Sequence, residues 1–330
     1  MNTDDYPSIL TTIHVGRNIK GWDDRTTLFA DNRPGLNGLL KSAIRLFRLR
    51  KDFDVTIVHS IKRDNLFALL AGLLRGPCPP IIMTDCLWYK HRRKHILWLK
   101  RLQMHIMARA VTYFVVWASH EVEDYAYTFM LSKDKFLYVP YHHTLEGYEF
   151  EVSQGDYIFS GGDGDRDYPT LLEAVRGLDI PVIIATRRKD ILGGKNLPRN
   201  VNAFPVTNSD FRKWMAGSKM VVVPMKKGLL HSGGQQTYLN AMAMGKPVIV
   251  ADDCGAKDYI QHGVDGLIVP AGNSQGLREA IQSLISDSAL SATLSTNGKS
   301  AFHNFSTVAC YNKLSRIAGE LAELHLVNNI

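Results

Sequence analysis

Between His231 and Asp265 the chain reads HSGGQQTYLNAMAMGKPVIVADDCGAKDYIQHGVD, a set of residue types suited to holding an anion against the backbone. Gly233 and Gly234 carry no Cβ, so the main chain there can approach a ligand closely. The pattern predicts a helix over Thr237–Met244, whose first N–H groups and positive dipole end would face the loop. A diphosphate is the ligand that such a loop fits. Gln235, Gln236 and Thr237 stand where they would meet its oxygens, against the plainer reading of a polar helix start that caps itself. His231 stands beside the loop, as apt to line it as to lie on the surface.

Other places carry groups able to move protons or bind charge. Asp85 follows the apolar run IIMT and precedes Cys86–Leu87–Trp88–Tyr89. A carboxylate at the carboxyl end of a strand can act as a general base, or else cap a helix or pair with nearby cations. His142 and His143 follow FLYVPY and read either as site histidines or as hinge residues. Asp163–Gly164–Asp165 and Asp165–Arg166–Asp167 have the D-x-D form that can chelate a divalent ion with a diphosphate. Such turns are common, so the form alone is weak ground for a metal.

The elements that would position these groups alternate between strand and helix. In the second half, strands are expected at Tyr157–Ser160, Pro181–Ala185, Val201–Phe204, Met220–Pro224, Val248–Ala251 and Gly266–Val269. Helices are expected through Leu171–Gly177, Asp210–Ala216, Gln275–Ile285 and Asp287–Gly298. Short apolar runs separated by helices predict a doubly wound parallel sheet, which binds ligands at the carboxyl ends of its strands. In the first half, Ile9–Val15, Val55–His59, Ile81–Thr84, Thr112–Trp117 and Phe136–Pro140 are the candidate strands of a second α/β domain. Tyr141–Asp156, polar and containing Gly147 and Gly155, reads as the linker. Thr307–Leu326 is a last helix with Tyr311, Leu314, Ala318, Leu321 and His325 on one stripe. A chain of 330 residues suits two domains of about 150 each.

The run of helix, GKPVIVAD, loop and GVDGLIVPAGN resembles the donor-binding half of the GT-B glycosyltransferases, in particular glycosyltransferase family 4 (glycosyl transferases group 1). The likeness is strong over residues 155–306 and weak before them. It implies an α/β fold of two Rossmann-like doubly wound domains facing a cleft. Residues 1–146 would bind the acceptor and 147–306 the nucleotide sugar, while 307–330 would cross back to the first domain. It also implies sugar transfer from a nucleotide-diphosphate donor, uridine rather than guanosine, with no metal and no cofactor beyond that substrate.

The resemblance assigns roles residue by residue. Where the family has lysine before x-x-x-L-L-E-A, this chain has Arg166, a phosphate ligand whose planar fork binds two oxygens. A surface pair with Asp163 or Asp167 is the alternative. The family's other phosphate-binding arginine would fall near Gly161 and is absent; Arg187, Arg188 or Lys189 are the candidates to replace it, against the plainer reading of a solvated basic turn. Gly162, in the turn before Arg166, would belong to the same site, and Val206, in the loop Phe204–Thr207, would lie against the nucleobase or else in a plain connecting loop. The two glutamates usual in the family correspond here to Ser232 and Asn240. An amide at 240 can still accept from ribose, without charge assistance, whereas a serine at 232 supplies no negative charge. Two rival readings follow: a subunit that keeps the fold without catalysis, and a nucleotide-sugar epimerase.

Charge and composition bound the partners. From Lys41 to Arg109 there are fifteen Lys or Arg against four Asp, a net +11, whereas the whole chain is only +7. An anionic partner is implied, and without a nucleic-acid signature, nucleic acid comes last among the choices. Within Lys90–Arg109, Trp98, Leu99, Leu102 and Ile106 fall on one arc and Arg93, Lys94, Lys100 and Arg101 opposite. Such a helix suits either an anionic membrane surface or an ordinary solvated face. No apolar run reaches the roughly 20 residues of a spanning helix, and the first residues lack the apolar core of a secretory signal. The four cysteines, Cys78, Cys86, Cys254 and Cys310, have no CxxC spacing and read as reduced and buried. The expectation is a cytoplasmic protein, peripheral at the inner membrane face, whose acceptor is a polysaccharide precursor or glycolipid.

Overall fold

The computed structural model describes residues 7–15, 19–31, 33–74, 78–89, 93–193, 197–252 and 255–328; Lys90 and Cys254, named above, lie outside them. The chain divides into two compact units, residues 1–139 with 308–330, and residues 140–307.

The first unit is built on six parallel strands: β1 Ile9–Thr11, β2 Thr26–Leu28, β3 Val55–His59, β4 Ile81–Thr84, β5 Val111–Val116 and β6 Phe136–Tyr138. Their order is β2-β1-β3-β4-β5-β6. The central strands read VTIVH and IIMT and are buried almost throughout, as parallel strands covered on both faces must be. β2 was not expected, because a short, largely exposed edge strand carries no apolar run. The helices α1 Gly35–Leu49, α2 Lys62–Leu73 and α3 Lys94–Met107 follow β2, β3 and β4, and α1 packs on α2, which packs on α3. Gly72 makes the second of these contacts possible, since a Cβ there would stand 1.9 Å from the carbonyl oxygen of Ile106. α4, His120–Phe129, leads into β6, after which the chain leaves this unit, and it returns through the last helix, Thr307–Asn328. On that helix Leu314, Ala318 and Leu321 are buried, and Tyr311 packs edge-on against Trp22 at 4.9 Å.

The second unit repeats the plan. Strands β7 Ile158–Gly161, β8 Val182–Ala185, β9 Val201–Phe204, β10 Met220–Pro224, β11 Val248–Ala251 and β12 Leu267–Val269 form a parallel sheet in the order β12-β11-β10-β7-β8-β9. Alternate residues serve opposite cores: Ile158, Val182 and Met220 pack with Leu277 and Leu294 on one face. Phe159, Ile183 and Val221 pack with Tyr238 and Leu239 on the other. The helices are α5 Tyr168–Val175, α6 Lys189–Leu192, α7 Asn208–Ala216, α8 Gln235–Ala243, α9 Ser274–Ser286 and α10 Ser288–Ala301, with Thr307–Asn328 completing the series as α11. Each sheet has one point where the strand order reverses, between β7 and β10 here and between β1 and β3 in the first unit. Open α/β sheets bind ligands at the carboxyl ends of strands on either side of such a reversal. The cysteines depart from expectation in one respect, since Cys86 and Cys310 are buried but Cys78 is only half-buried; none of these three is in a disulfide.

Candidate active site

In the second unit the reversal between β7 and β10 gathers the residues singled out for phosphate. The turn after β7 runs through Gly162 and Asp165, whose φ values of 112° and 51° lie in the left-handed region. Asp165 takes that conformation because the turn closes on the strand beside it: its carbonyl accepts from Lys226 N at 3.0 Å, and Arg166 bridges to Met225. Tyr168, wholly buried in the first turn of α5, donates to Gly162 O at 2.6 Å, and burial pushes its phenol up to about 12.

Arg166 lies at the centre and is buried. Its Nε donates to Gly161 O and one terminal nitrogen to Gly164 O, each at 3.0 Å. The other terminal nitrogen donates to Thr237 Oγ1 at 3.0 Å, which ties the turn after β7 to the first turn of α8. Burial pulls this guanidinium below its ordinary value, against the opposing fields of Tyr168 and Asp165, and an arginine so placed stays a cation. The surface pairings considered for it are absent, because Asp163 takes Arg187 and Asp167 caps α5 at Thr170 N.

The glycine loop closes over that cation. Gly234, at φ 84°, is the N-cap of α8 and accepts from Thr237 N at 2.8 Å. A Cβ at Gly162 would stand 2.9 Å from the Arg166 guanidinium, and one at Gly234 would stand 2.9 Å from Val223. The first amides of a helix have no intrahelical partner, so the start of α8 and the cation beneath it present positive charge to one place. Gly162, Arg166, Gly233, Gly234 and Thr237 therefore meet in one place.

Other expected members are turned elsewhere. Gln235 is buried and donates to Ser232 Oγ. Asn240 is buried, and its amide is used on Thr144: Oδ1 accepts from Thr144 N at 2.8 Å and Nδ2 donates to Thr144 Oγ1 at 3.1 Å. Gln236 also donates to Thr144 Oγ1, at 3.0 Å. His231, buried, pairs with Asp165 at 3.3 Å and joins the two loops a second time. Arg187 and Arg188 pair with Asp163 and Asp190. Burial raises the Asp163 carboxyl, but the Arg187 amide and guanidinium outweigh that and hold it below its usual value. With Asp163, Asp165 and Asp167 each committed to a different partner, the D-x-D runs do not converge. Among the described residues, no group of three or more His, Cys, Asp or Glu is placed to hold a metal ion.

Val206 lines an open pocket of about 440 Å³ at the carboxyl end of β9, with Phe204, Pro205, Thr207, Asp210 and Trp214. Two aromatic side chains and a proline make it suited to a flat ring. Thr207 and Asp210 fix its floor, since Thr207 caps α7 by accepting from Asp210 N and donates to its carboxylate at 2.7 Å.

In the first unit, Asp85 stands just past β4 at φ 54°, a conformation a non-glycine residue adopts only where its surroundings impose it. Its Oδ2 is bonded to His59 Nδ1 and its Oδ1 accepts from Trp117 Nε1 at 3.0 Å. His59 ends β3 at the strand reversal, and its amide donates to Thr12 Oγ1, itself bonded to buried Asp64. Asp85 thus orients an imidazole through its Nδ1, leaving Nε2 as the ring nitrogen it does not engage. Asp85 caps no helix, since α3 starts nine residues later. His59 gave no signal in the sequence, being the last residue of an otherwise apolar strand.

The segment expected at a membrane, α3, buries Met104 and Met107 and leaves most of its expected apolar arc in solvent. Trp98, Leu99 and Leu102 of α3 are exposed, while Arg101 is turned inward to donate to Thr128 O at 2.8 Å. Of the cations expected opposite the apolar arc, Arg93 and Lys94 are exposed and Lys100 is half-buried.

Two doubly wound parallel sheets of this kind, each with a charged turn at its reversal, are those of an α/β protein of the GT-B fold. The comparisons agree. A profile of the family Glycosyl transferases group 1 matches residues 168–287. An uncharacterized glycosyltransferase of Methanocaldococcus jannaschii, MJ1178, is 24% identical over 192 residues, 53% of this chain and 52% of that one. The chain thus spans about half the length of that curated relative. The structure of Anabaena Alr3699/HepE in complex with UDP superposes with a TM-score of 0.71 at 16% identity, covering 95% of this chain and 100% of that one. Sucrose-phosphate synthase from Thermosynechococcus elongatus gives 0.67 at 16% identity, covering 91% and 84%.

Proposed function

We propose that this chain is a glycosyltransferase that moves a hexosyl group from a nucleoside-diphosphate sugar to a hydroxyl of a polysaccharide precursor or glycolipid. The observation that carries this reading is Arg166, buried beneath Gly162 and Gly234 and bonded to the first turn of α8. Cation, glycine backbone and helix start would stabilise the leaving diphosphate without a metal. The pocket at Val206 would take the base, and uridine is favoured because the HepE neighbour was solved with UDP. On the acceptor side, His59 held by Asp85 would remove the hydroxyl proton as the bond to the sugar forms, while the diphosphate leaves with the bonding pair.

A non-catalytic subunit is the second reading, and Ser232 and Asn240 favour it, both being engaged by protein partners. Calorimetric titration of a panel of nucleoside diphosphates and their sugars, with and without chelator, tests the proposal. Micromolar binding of one nucleotide, unchanged by chelator, together with sugar release is expected. Folded protein that binds none of the panel would end the donor-site reading, and binding without turnover would favour the subunit.

A further inference from the structure

The carboxyl edge of the first sheet carries a surface that the transfer reaction leaves unexplained. The helices α1, α2 and α3 follow successive parallel strands and pack side by side, so their first turns stand in a row along that edge. Each start exposes large apolar side chains: Leu36 and Leu40 on α1, Ile61 just before α2, and Trp98 and Leu99 on α3. Leu36 is 81% exposed and Trp98 61%, values far from those of side chains that close a core. Beside each of them stands an exposed lysine, Lys41, Lys62 or Lys94. His59 and Asp85 lie at the same edge.

We infer that this row docks on an anionic lipid surface, which would deliver a lipid-borne acceptor to His59. Apolar tips flanked by lysines match the two layers of such a surface, hydrocarbon below and phosphate above. A soluble saccharide would need hydrogen-bonding groups in this position, and the row offers leucine, isoleucine and tryptophan instead. The excess of fifteen Lys or Arg over four Asp between Lys41 and Arg109 gives the attraction its sign. This inference names the partner of the proposed acceptor end and rests on that reading.

Flotation with phosphatidylcholine vesicles, with and without phosphatidylglycerol, provides the test, run beside nucleotide titration on the same samples. Wild type should float only with the anionic vesicles, less at high salt, and Leu36→Glu/Leu40→Glu should lose roughly tenfold or more of that partitioning. Both positions are surface positions at a helix start, and an unchanged melting temperature and nucleotide affinity would show the variant to be folded. Wild type that ignores anionic vesicles, or a double variant that floats as well as wild type, overturns the inference. Vesicle binding with no nucleotide binding would instead remove the donor reading and leave the docking surface standing.

Discussion

Arg166 and Asp85 test the two ends of the proposed reaction separately. Removing the Arg166 side chain leaves the buried Gly161 carbonyl without this donor, a cost of about 1–3 kcal/mol, while the exposed Gly164 carbonyl turns to water. Arg166→Ala should therefore lower the melting temperature as well as nucleotide affinity. Arg166→Lys keeps the charge but cannot span Gly161, Gly164 and Thr237 at once. We expect it to lose about tenfold in nucleotide affinity by calorimetry; affinity equal to wild type would remove the guanidinium from the site. Asp85→Asn keeps the size of the side chain and loses the anion that orients His59. Turnover should fall by roughly a hundredfold or more while nucleotide affinity stays constant. A loss confined to nucleotide affinity would contradict the assignment. The sequence could propose Arg166 because the resemblance puts a phosphate-binding cation there, and Asp85 because it stands at a strand end. It could not supply the partners. Thr144, which occupies Asn240, lies 96 residues away in the chain, and only the packed fold brings them together.

At the scale of elements, α8 and the loop before it set the geometry. Gly234 must adopt φ 84°, and its backbone runs over Val223 and Met225. Gly234→Ala meets both obstacles, with a Cβ 2.9 Å from Val223 Cγ1 and 3.1 Å from Met225 Sδ. Gly228, at φ 71° with open space around it, meets only the first. Gly228→Ala should cost about 1 kcal/mol and Gly234→Ala clearly more, with weakened nucleotide binding in the second alone. Equal losses in thermal melts would show that crowding under the loop is unimportant. Most of this unit was legible, since strands such as Val201–Phe204, Met220–Pro224 and Val248–Ala251 are apolar runs bounded by turns. α8 begins at Gln235, two residues before the expected Thr237, because the left-handed Gly234 serves as its cap. On α3 the apolar arc was legible, and its Trp98, Leu99 and Leu102 face solvent. Periodicity shows that a helix has two faces and leaves open which one the fold covers.

Across the second unit as a whole, one buried cation gives stability a pH signature. Lys246 follows the turn that ends α8 and reaches two separate segments, donating to Ser218 O at 2.7 Å and to Ser153 O. Burial lowers its ammonium from the ordinary 10.5 to about 8. The sign follows from proton counting. Between about pH 8 and 10.5 the unfolded chain keeps a proton on this lysine that the folded chain has released. Raising the pH through that window therefore favours folding, and the neutral amine can still donate to both carbonyls. Buried Tyr168 and Cys310, each pushed up to about 12, work in the opposite direction, because the unfolded chain loses their protons first. Total stability thus mixes both effects, and the lysine term must be isolated by a variant. Lys246→Met loses the two hydrogen bonds at every pH but has nothing to titrate. The stability gap between wild type and Lys246→Met, from urea unfolding, should widen by about 1 kcal/mol between pH 7 and pH 9.5. A gap that stays constant would mean that the lysine titrates normally in the folded chain, and a shrinking one would mean that an anion holds it charged.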